Sequence, residues 1–164
     1  MYNYKVKRAN KTAEALAAAL LLLAVMFFIM SAAGIWIRSV LQLIMLVFLV
    51  LTIMVADRYL FSSFEYVIND KVGDYDLVVF RHSGKRTNTV CRLSLSLAGT
   101  FTVVKRGETP PRAVGQLHDY TGTLFAPEYA YITFPEENVT LKLEPDGYLK
   151  KLIPELMSSV SVAE

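Results

Sequence analysis

After a basic segment of 14 residues, the chain has a long apolar stretch and then changes to an alternation of apolar and polar positions. Residues 15–56 contain one charged residue, Arg38, in 42 positions. Arg38 separates two uncharged runs, residues 15–37 and residues 39–56. Each run is close to the roughly 20 residues that a helix needs to cross the hydrocarbon core of a bilayer. The pattern therefore predicts two membrane-spanning helices.

A turn has to lie between these two runs. A single helix over the whole stretch would be about 63 Å long, which is twice the thickness that it would have to cross. Gly34 interrupts the helical pattern, and Trp36 suits the headgroup region. Arg38 would cost roughly 3 kcal/mol at the membrane centre but little at its surface. We therefore expect a tight helical hairpin over residues 13–57, with its bend at residues 31–39.

Basic residues flank the outer ends of this hairpin. Residues 1–14 carry a net charge of +3, and Arg58 and Lys71 follow the second run. The excess of lysine and arginine predicts that residues 1–12 form a basic cytoplasmic tail and that the C-terminal part is also cytoplasmic, in a multi-pass protein of the cell (plasma) membrane. The alternative is a signal peptide, because the small residues 31–33 after an apolar core imitate a cleavage site.

The predicted spans contain few polar or ionisable side chains. They contain no Asp, Glu, Lys or His, which argues against a proton path or transport by the chain alone. Gln42 is their one strongly polar side chain, and we expect it to form a helix–helix hydrogen bond, either within the hairpin or in a homo-oligomer. A small-residue face for helix packing is predicted at Ala15, Ala17, Ala18 and Ala19.

From residue 58 onward, the pattern is that of half-buried strands. The clearest alternation covers residues 88–97 and residues 139–144. Further strands are predicted at residues 60–68, 75–81, 101–106, 114–120 and 129–134. Ser83 and Gly84 predict a tight hairpin turn. The sum is about seven antiparallel strands, arranged as a meander.

The period changes again after the last strand. Apolar residues from 148 to 160 recur at helical spacing behind a Pro145-Asp146 start, which predicts one amphipathic helix. Pro154 lies inside this helix and is expected to kink or divide it. Residues 58–160 are thus predicted to form one compact domain and residues 161–164 to fray. Cys91 is expected to be a core residue.

Four short segments carry a resemblance to a known family. They are FEYVI at residues 64–68, DLVVFR at residues 76–81, GKR at residues 84–86 and LEPD at residues 143–146. With this order of elements, the chain resembles the bacterial pleckstrin-homology-like (PH-like) membrane proteins and is similar to small uncharacterised membrane proteins of Gram-positive bacteria. The resemblance implies an α+β, mostly β domain in which a small antiparallel barrel is capped by the C-terminal helix. It also implies a scaffold or binding module.

The densest basic cluster of the domain lies at the Ser83-Gly84 turn. Arg81, Lys85 and Arg86 surround the turn, and Arg92 is predicted across the hairpin. At about 1 kcal/mol per basic residue, these four side chains are candidates for contact with anionic lipid headgroups. The alternative is a solvated hairpin tip. The loop of residues 69–74 is net acidic, which argues against recognition of inositol lipids.

The second candidate surface is aromatic. The chain has nine tyrosines and nine phenylalanines, more than a small barrel core requires. Tyr120, Phe125, Tyr129 and Tyr131 are candidates for a surface that binds a protein partner, because tyrosine anchors are typical of such surfaces. The alternative is ordinary core and rim packing.

The remaining patterns exclude several classes of function. The domain has no basic footprint for nucleic acid. Its two histidines and single cysteine form no metal spacing, and we predict no catalytic residue and no cofactor. We therefore expect a non-enzymatic, membrane-anchored scaffold that binds a protein partner or the membrane surface. The alternative is an accessory subunit, or a small membrane enzyme that acts on lipid through the basic hairpin.

Overall fold

The computed structural model describes residues 2–6, 11–34, 37–71 and 74–161. They belong to two compact units, a helical unit, Arg8–Ser62, and a β unit that combines Met1–Lys7 with Ser63–Glu164. The predictions for Trp36 and for residues 162–164 fall outside the described residues. In chain order the elements are β1 (Tyr2–Lys5), α1 (Lys11–Ala32), α2 (Arg38–Val55), a π-helical segment (Ala56–Phe61), β2 (Ser62–Lys71), β3 (Asp74–Ser83), β4 (Arg86–Ser94), a 3₁₀ turn (Leu95–Leu97), β5 (Thr100–Lys105), β6 (Gln116–Asp119), β7 (Glu128–Phe134), β8 (Val139–Leu143) and α3 (Leu149–Ser161).

The helical unit confirms the two predicted apolar helices. Lys11–Ala32 and Arg38–Phe61 are both long and apolar enough to cross a membrane. The helices pack on each other through stacked rings of Phe27 and Phe48, whose centroids are 5.6 Å apart. The small-residue face differs in part from the prediction. Its buried members are Ala13, Ala17, Ala24 and Ser31, a spacing that keeps one side of α1 against its neighbour.

The β unit contains two four-stranded sheets. Sheet A has the order β1-β2-β3-β4, and sheet B has the order β5-β7-β8-β6. In sheet B, β6 runs parallel to β8. The predicted single barrel of about seven antiparallel strands is therefore wrong, because the described strands number eight and form two sheets with one parallel pair.

Strand β1 was not predicted at all. It occupies part of the predicted basic tail and pairs antiparallel with β2, with Tyr2 opposite Ile68 and Lys5 opposite Glu65. The pairing continues beyond the strand, since the Val6 backbone N–H donates to the Phe64 carbonyl at 3.0 Å. Strand β1, which precedes α1 in the chain, thus belongs to the same sheet as β2, which follows α2.

Strand β4 ends earlier than its alternating pattern suggests. The side chain of Ser94 accepts a hydrogen bond from the Ser96 backbone N–H at 3.2 Å. Such local side-chain bonds compete with the strand ladder, and the chain turns into a short 3₁₀ segment at Leu95–Leu97. Leu97 consequently remains 37% exposed, although the pattern placed it on the core face.

The core lies between the two sheets and α3. Its largest fully buried side chains include Tyr66 of sheet A, Phe134 and Leu141 of sheet B, and Ile153 of α3. The predicted start of α3 is confirmed, because Asp146 accepts a hydrogen bond from the Leu149 backbone N–H at 2.7 Å, as an N-terminal cap does.

Candidate functional site

The two connections between sheet A and the helical unit lie at the same end of this sheet. The chain leaves β1 at Lys5 on its way to α1, and it enters β2 at Ser62 directly after the π-helical segment. Because neighbouring strands of this sheet run antiparallel, the β3–β4 turn lies at this end as well, next to the start of β2. We call this end of the sheet, with Lys5, Ser62 and the β3–β4 turn, the connection end of sheet A.

The β3–β4 turn presents two exposed basic residues at the connection end. Ser83 pairs with Arg86, which leaves a two-residue loop of Gly84 and Lys85. Gly84 has a φ of 60°, the left-handed conformation that such hairpin loops require and that glycine adopts without strain. The side chains of Lys85 and Arg86 are exposed. The sequence therefore located the tip of this hairpin correctly.

A chain of hydrogen bonds crosses sheet A beside this turn. His82 contacts a Glu65 carboxylate oxygen through Nε2, and its Nδ1 lies 2.9 Å from the Thr87 hydroxyl. Burial raises the pKa of Glu65, but hydrogen bonds from Asn3 and His82 outweigh burial, so that the pKa is lower than usual. The network joins side chains of β1, β2, β3 and β4 and so fixes the hairpin on the sheet.

The other two predicted lipid contacts differ from Lys85 and Arg86 in their surroundings. Arg92 donates to Asp76 Oδ2 through Nε at 3.0 Å and Nη2 at 2.6 Å. Arg92 also lies six residues along β4 from Arg86, which corresponds to about 20 Å. Arg81 is half-buried and pairs with Asn88 across the hairpin. Lys85 and Arg86 are thus the exposed basic pair of this turn.

The four predicted partner-surface aromatics do not form one surface. Tyr131 is buried and Tyr120 and Tyr129 are half-buried, whereas Phe125 is 53% exposed. Lys142 Nζ lies 4.1 Å from the ring centroid of Tyr129. The guanidinium of Arg106 lies 4.6 Å from the ring centroid of Phe125. Of this set, Phe125 alone is exposed.

Two polar groups that the sequence did not indicate stabilise the domain, the buried hydroxyl of Tyr66 between the sheets and the half-buried carboxylate of Asp119 within sheet B. The Tyr66 hydroxyl donates to the Tyr120 carbonyl at 2.8 Å and accepts from the Glu144 backbone N–H at 3.1 Å. Asp119 accepts from the Thr121 hydroxyl at 2.7 Å and pairs with Lys142 at 3.2 Å. Burial raises the pKa of Asp119, but these hydrogen bonds and the lysine charge hold it below its usual value.

Cys91 and His118, two reactive residue types, both lie next to Tyr120. Cys91 is a free, half-buried thiol whose pKa is raised by burial. Burial, together with the neighbouring Cys91, raises the pKa of Tyr120 to about 12. His118 stacks on Tyr120 with centroids 6.0 Å apart. Among the described residues, no three His, Cys, Asp or Glu side chains form a group that could hold a metal ion.

No family model, curated protein or solved structure matches this chain. The resemblance to PH-like membrane proteins therefore stays a prediction.

Proposed function

We propose that this chain is a two-span membrane protein whose β domain lies at the cytoplasmic surface and acts as a non-enzymatic binding module. The pairing of β1 with β2 is the observation that carries the proposal. Strands that pair must be on the same side of a membrane, so an even number of crossings has to separate Lys5 from Ser62. Two apolar helices between these residues meet that requirement.

Cysteine labelling in intact cells tests this topology. In a Cys91→Ala background, Ser39→Cys reports on the bend of the hairpin, and Glu137→Cys reports on the exposed turn between β7 and β8. A membrane-impermeant maleimide should label Ser39→Cys from outside and Glu137→Cys after permeabilisation only. Labelling of Glu137→Cys in intact cells would overturn the cytoplasmic orientation.

The membrane surface is the binding target that we propose for the domain. The chain passes from the π-helical segment, which ends at Phe61, into β2, which begins at Ser62, with no residue between them. Lys85 and Arg86 are exposed at the connection end, where lysine and arginine attract anionic headgroups. Exposed Phe125 supports a protein partner as a further target.

Spin labels at the two ends of β4 test the membrane contact. Asn88→Cys lies near the hairpin tip and Ser96→Cys beyond the other end of the strand, and both native side chains are exposed. With the full chain in vesicles that contain a nickel-chelating lipid, relaxation of the label should be strong at position 88 and weak at position 96. Equal relaxation at both positions would contradict a domain held at the surface by its connection end.

A second candidate is a small enzyme that acts on a lipid ester, and one observation favours it. With Nε2 protonated, His82 accepts from Thr87 and donates to Glu65, which is the hydroxyl–imidazole–carboxylate order of a nucleophilic relay. The test is release of a fluorescent acyl group from a phospholipid by the purified chain. Hydrolysis that Thr87→Ala abolishes and Thr89→Ala preserves would replace the non-enzymatic proposal.

A further inference from the structure

Gln42 is a polar side chain of α2 for which the described part of the hairpin offers no hydrogen-bond partner. Ser31 donates to the Arg38 carbonyl and Thr52 donates to the Phe48 carbonyl, so both hydroxyls are satisfied within the helical unit. The Gln42 side chain is exposed, and it makes no hydrogen bond among the residues that the structure describes. Of the two kinds of partner expected for Gln42, the described residues of its own hairpin supply none, which favours a partner in a second copy.

The depth of Gln42 makes its amide costly to leave unpaired. Arg38 and Asp57 bound the uncharged part of the second span, and the 1.5 Å rise of a helix separates them by about 28 Å, close to the hydrocarbon thickness. Gln42 lies four residues inside this boundary, roughly 6 Å below the level of Arg38. Lipid tails offer no hydrogen bond to an amide at this depth.

An apolar groove lies on the face of the hairpin that carries Gln42. It has a volume of about 160 Å³ and runs between the two helices. Its lining residues are Leu21, Ala24, Val25 and Phe28 of α1 and Met45 and Leu49 of α2. Gln42, Met45 and Leu49 are spaced i, i+3 and i+7, so they share one face of α2. The unpaired amide therefore flanks the groove.

We propose that a second copy of this chain packs on the groove face of the hairpin and pairs its Gln42 with Gln42 of the first copy. Copies inserted with the same topology are related by an axis along the membrane normal, so equivalent residues lie at the same depth. An amide side chain carries both donors and an acceptor, which makes it complementary to itself.

This inference rests on the proposed membrane-spanning arrangement. The labelling of Ser39→Cys and Glu137→Cys tests that arrangement independently of self-association. A failure of the dimer with the expected labelling pattern would therefore count against the groove face alone.

Two neighbouring positions of α2 give a matched crosslinking test. Leu49 lines the groove, whereas Val50 points about 100° away around the helix at nearly the same depth. Their exposures are similar, 40% and 47%. Mild oxidation of the full chain in native membranes, in a Cys91→Ala background, should give a disulfide dimer with Leu49→Cys and little with Val50→Cys. No dimer from either variant, or equal dimer from both, would overturn the proposal.

Removal of the amide tests the role of Gln42 itself. Energy transfer between donor-labelled and acceptor-labelled chains, diluted with lipid in vesicles, measures the dimer constant. Gln42→Leu should weaken the dimer about three- to tenfold, which is the usual effect of one interhelical hydrogen bond. Leu43→Gln, a change on another exposed face at the same depth, should not restore the dimer in the Gln42→Leu background. An unchanged constant in Gln42→Leu would exclude the amide pair.

Discussion

The phenol of Tyr2 donates a hydrogen bond to Asp146 Oδ2 at 2.7 Å, although 144 positions separate the two residues in the chain. The Tyr2 ring also packs on Tyr148, with centroids 4.9 Å apart. The same Asp146 carboxylate caps α3 through its other oxygen. The first described residue thus fastens the last helix to the edge strand of sheet A.

Tyr2→Phe should destabilise the β unit by roughly 1.5 kcal/mol, because it removes a hydrogen bond to a charged acceptor and keeps the ring contact with Tyr148. Asp146→Ala should cost more, since it also removes the helix cap. Urea unfolding of the full chain in detergent measures both. An equal loss in the two variants would mean that the helix cap contributes nothing, and an unchanged stability of Tyr2→Phe would mean that the bond to Tyr2 contributes nothing.

Tyr66→Phe should be among the most damaging single-atom changes in the domain. The Tyr66 hydroxyl is fully buried and pairs with two backbone groups, at Tyr120 and Glu144. Its removal leaves a buried carbonyl and a buried N–H unpaired, at about 1–3 kcal/mol each. Tyr4→Phe is the matched control, because the Tyr4 hydroxyl makes no hydrogen bond among the described residues. Similar denaturation midpoints for the two variants would contradict the bridging role of Tyr66.

The carboxylate of Asp119 should make stability depend on acid pH. Its pKa is lower in the folded chain than in the unfolded chain. Its contribution is therefore present above the ordinary aspartate pKa of about 3.9 and is lost as pH falls through the lower folded value. Stability measured from pH 7 to pH 3 should decrease less in Asp119→Asn than in the wild type. Glu137→Gln, at an exposed turn, should follow the wild-type curve.

Two glycines with similar backbone angles should respond very differently to alanine. Gly115 and Gly84 have φ values of 62° and 60°. A Cβ at Gly115 would lie 1.7 Å from the Asn138 carbonyl oxygen, whereas a Cβ at Gly84 meets no atom within 4 Å. Gly84→Ala should cost about 1 kcal/mol from backbone strain alone. Gly115→Ala should cost more than about 3 kcal/mol or prevent folding. Comparable Tm values for the two variants would show that the β6 connection tolerates displacement.

The sequence predicted the elements that neighbouring residues determine, namely the two apolar helices and the β3–β4 turn. The two apolar runs required helices, and the Ser83-Gly84 pair required a tight turn, so the hairpin with Lys85 and Arg86 was found. The pairing of β1 was invisible because four residues carry too little periodicity to indicate a strand. Its partner, β2, follows both helices in the chain, so no local pattern indicates that the two strands pair.

The order of strands in sheet B could not be read from the sequence for a related reason. The parallel pairing of β6 with β8 depends on distant contacts, such as the hydrogen bonds between Thr140 and Val114. Arg92 looked like part of the basic cluster because its partner, Asp76, is 16 positions away. The sequence shows which residues are basic, but it does not show which of them are paired with an acidic side chain.

The place of β1 in the chain also sets the order in which the molecule is assembled during synthesis. The ribosome makes β1 before both helices and makes its partner β2 after them. Strand β1 therefore has no β2 to pair with while residues 11–61 are translated. Strand β1 can pair with β2 only after both helices have been made. Completion of sheet A therefore requires that the whole chain between β1 and β2 is present.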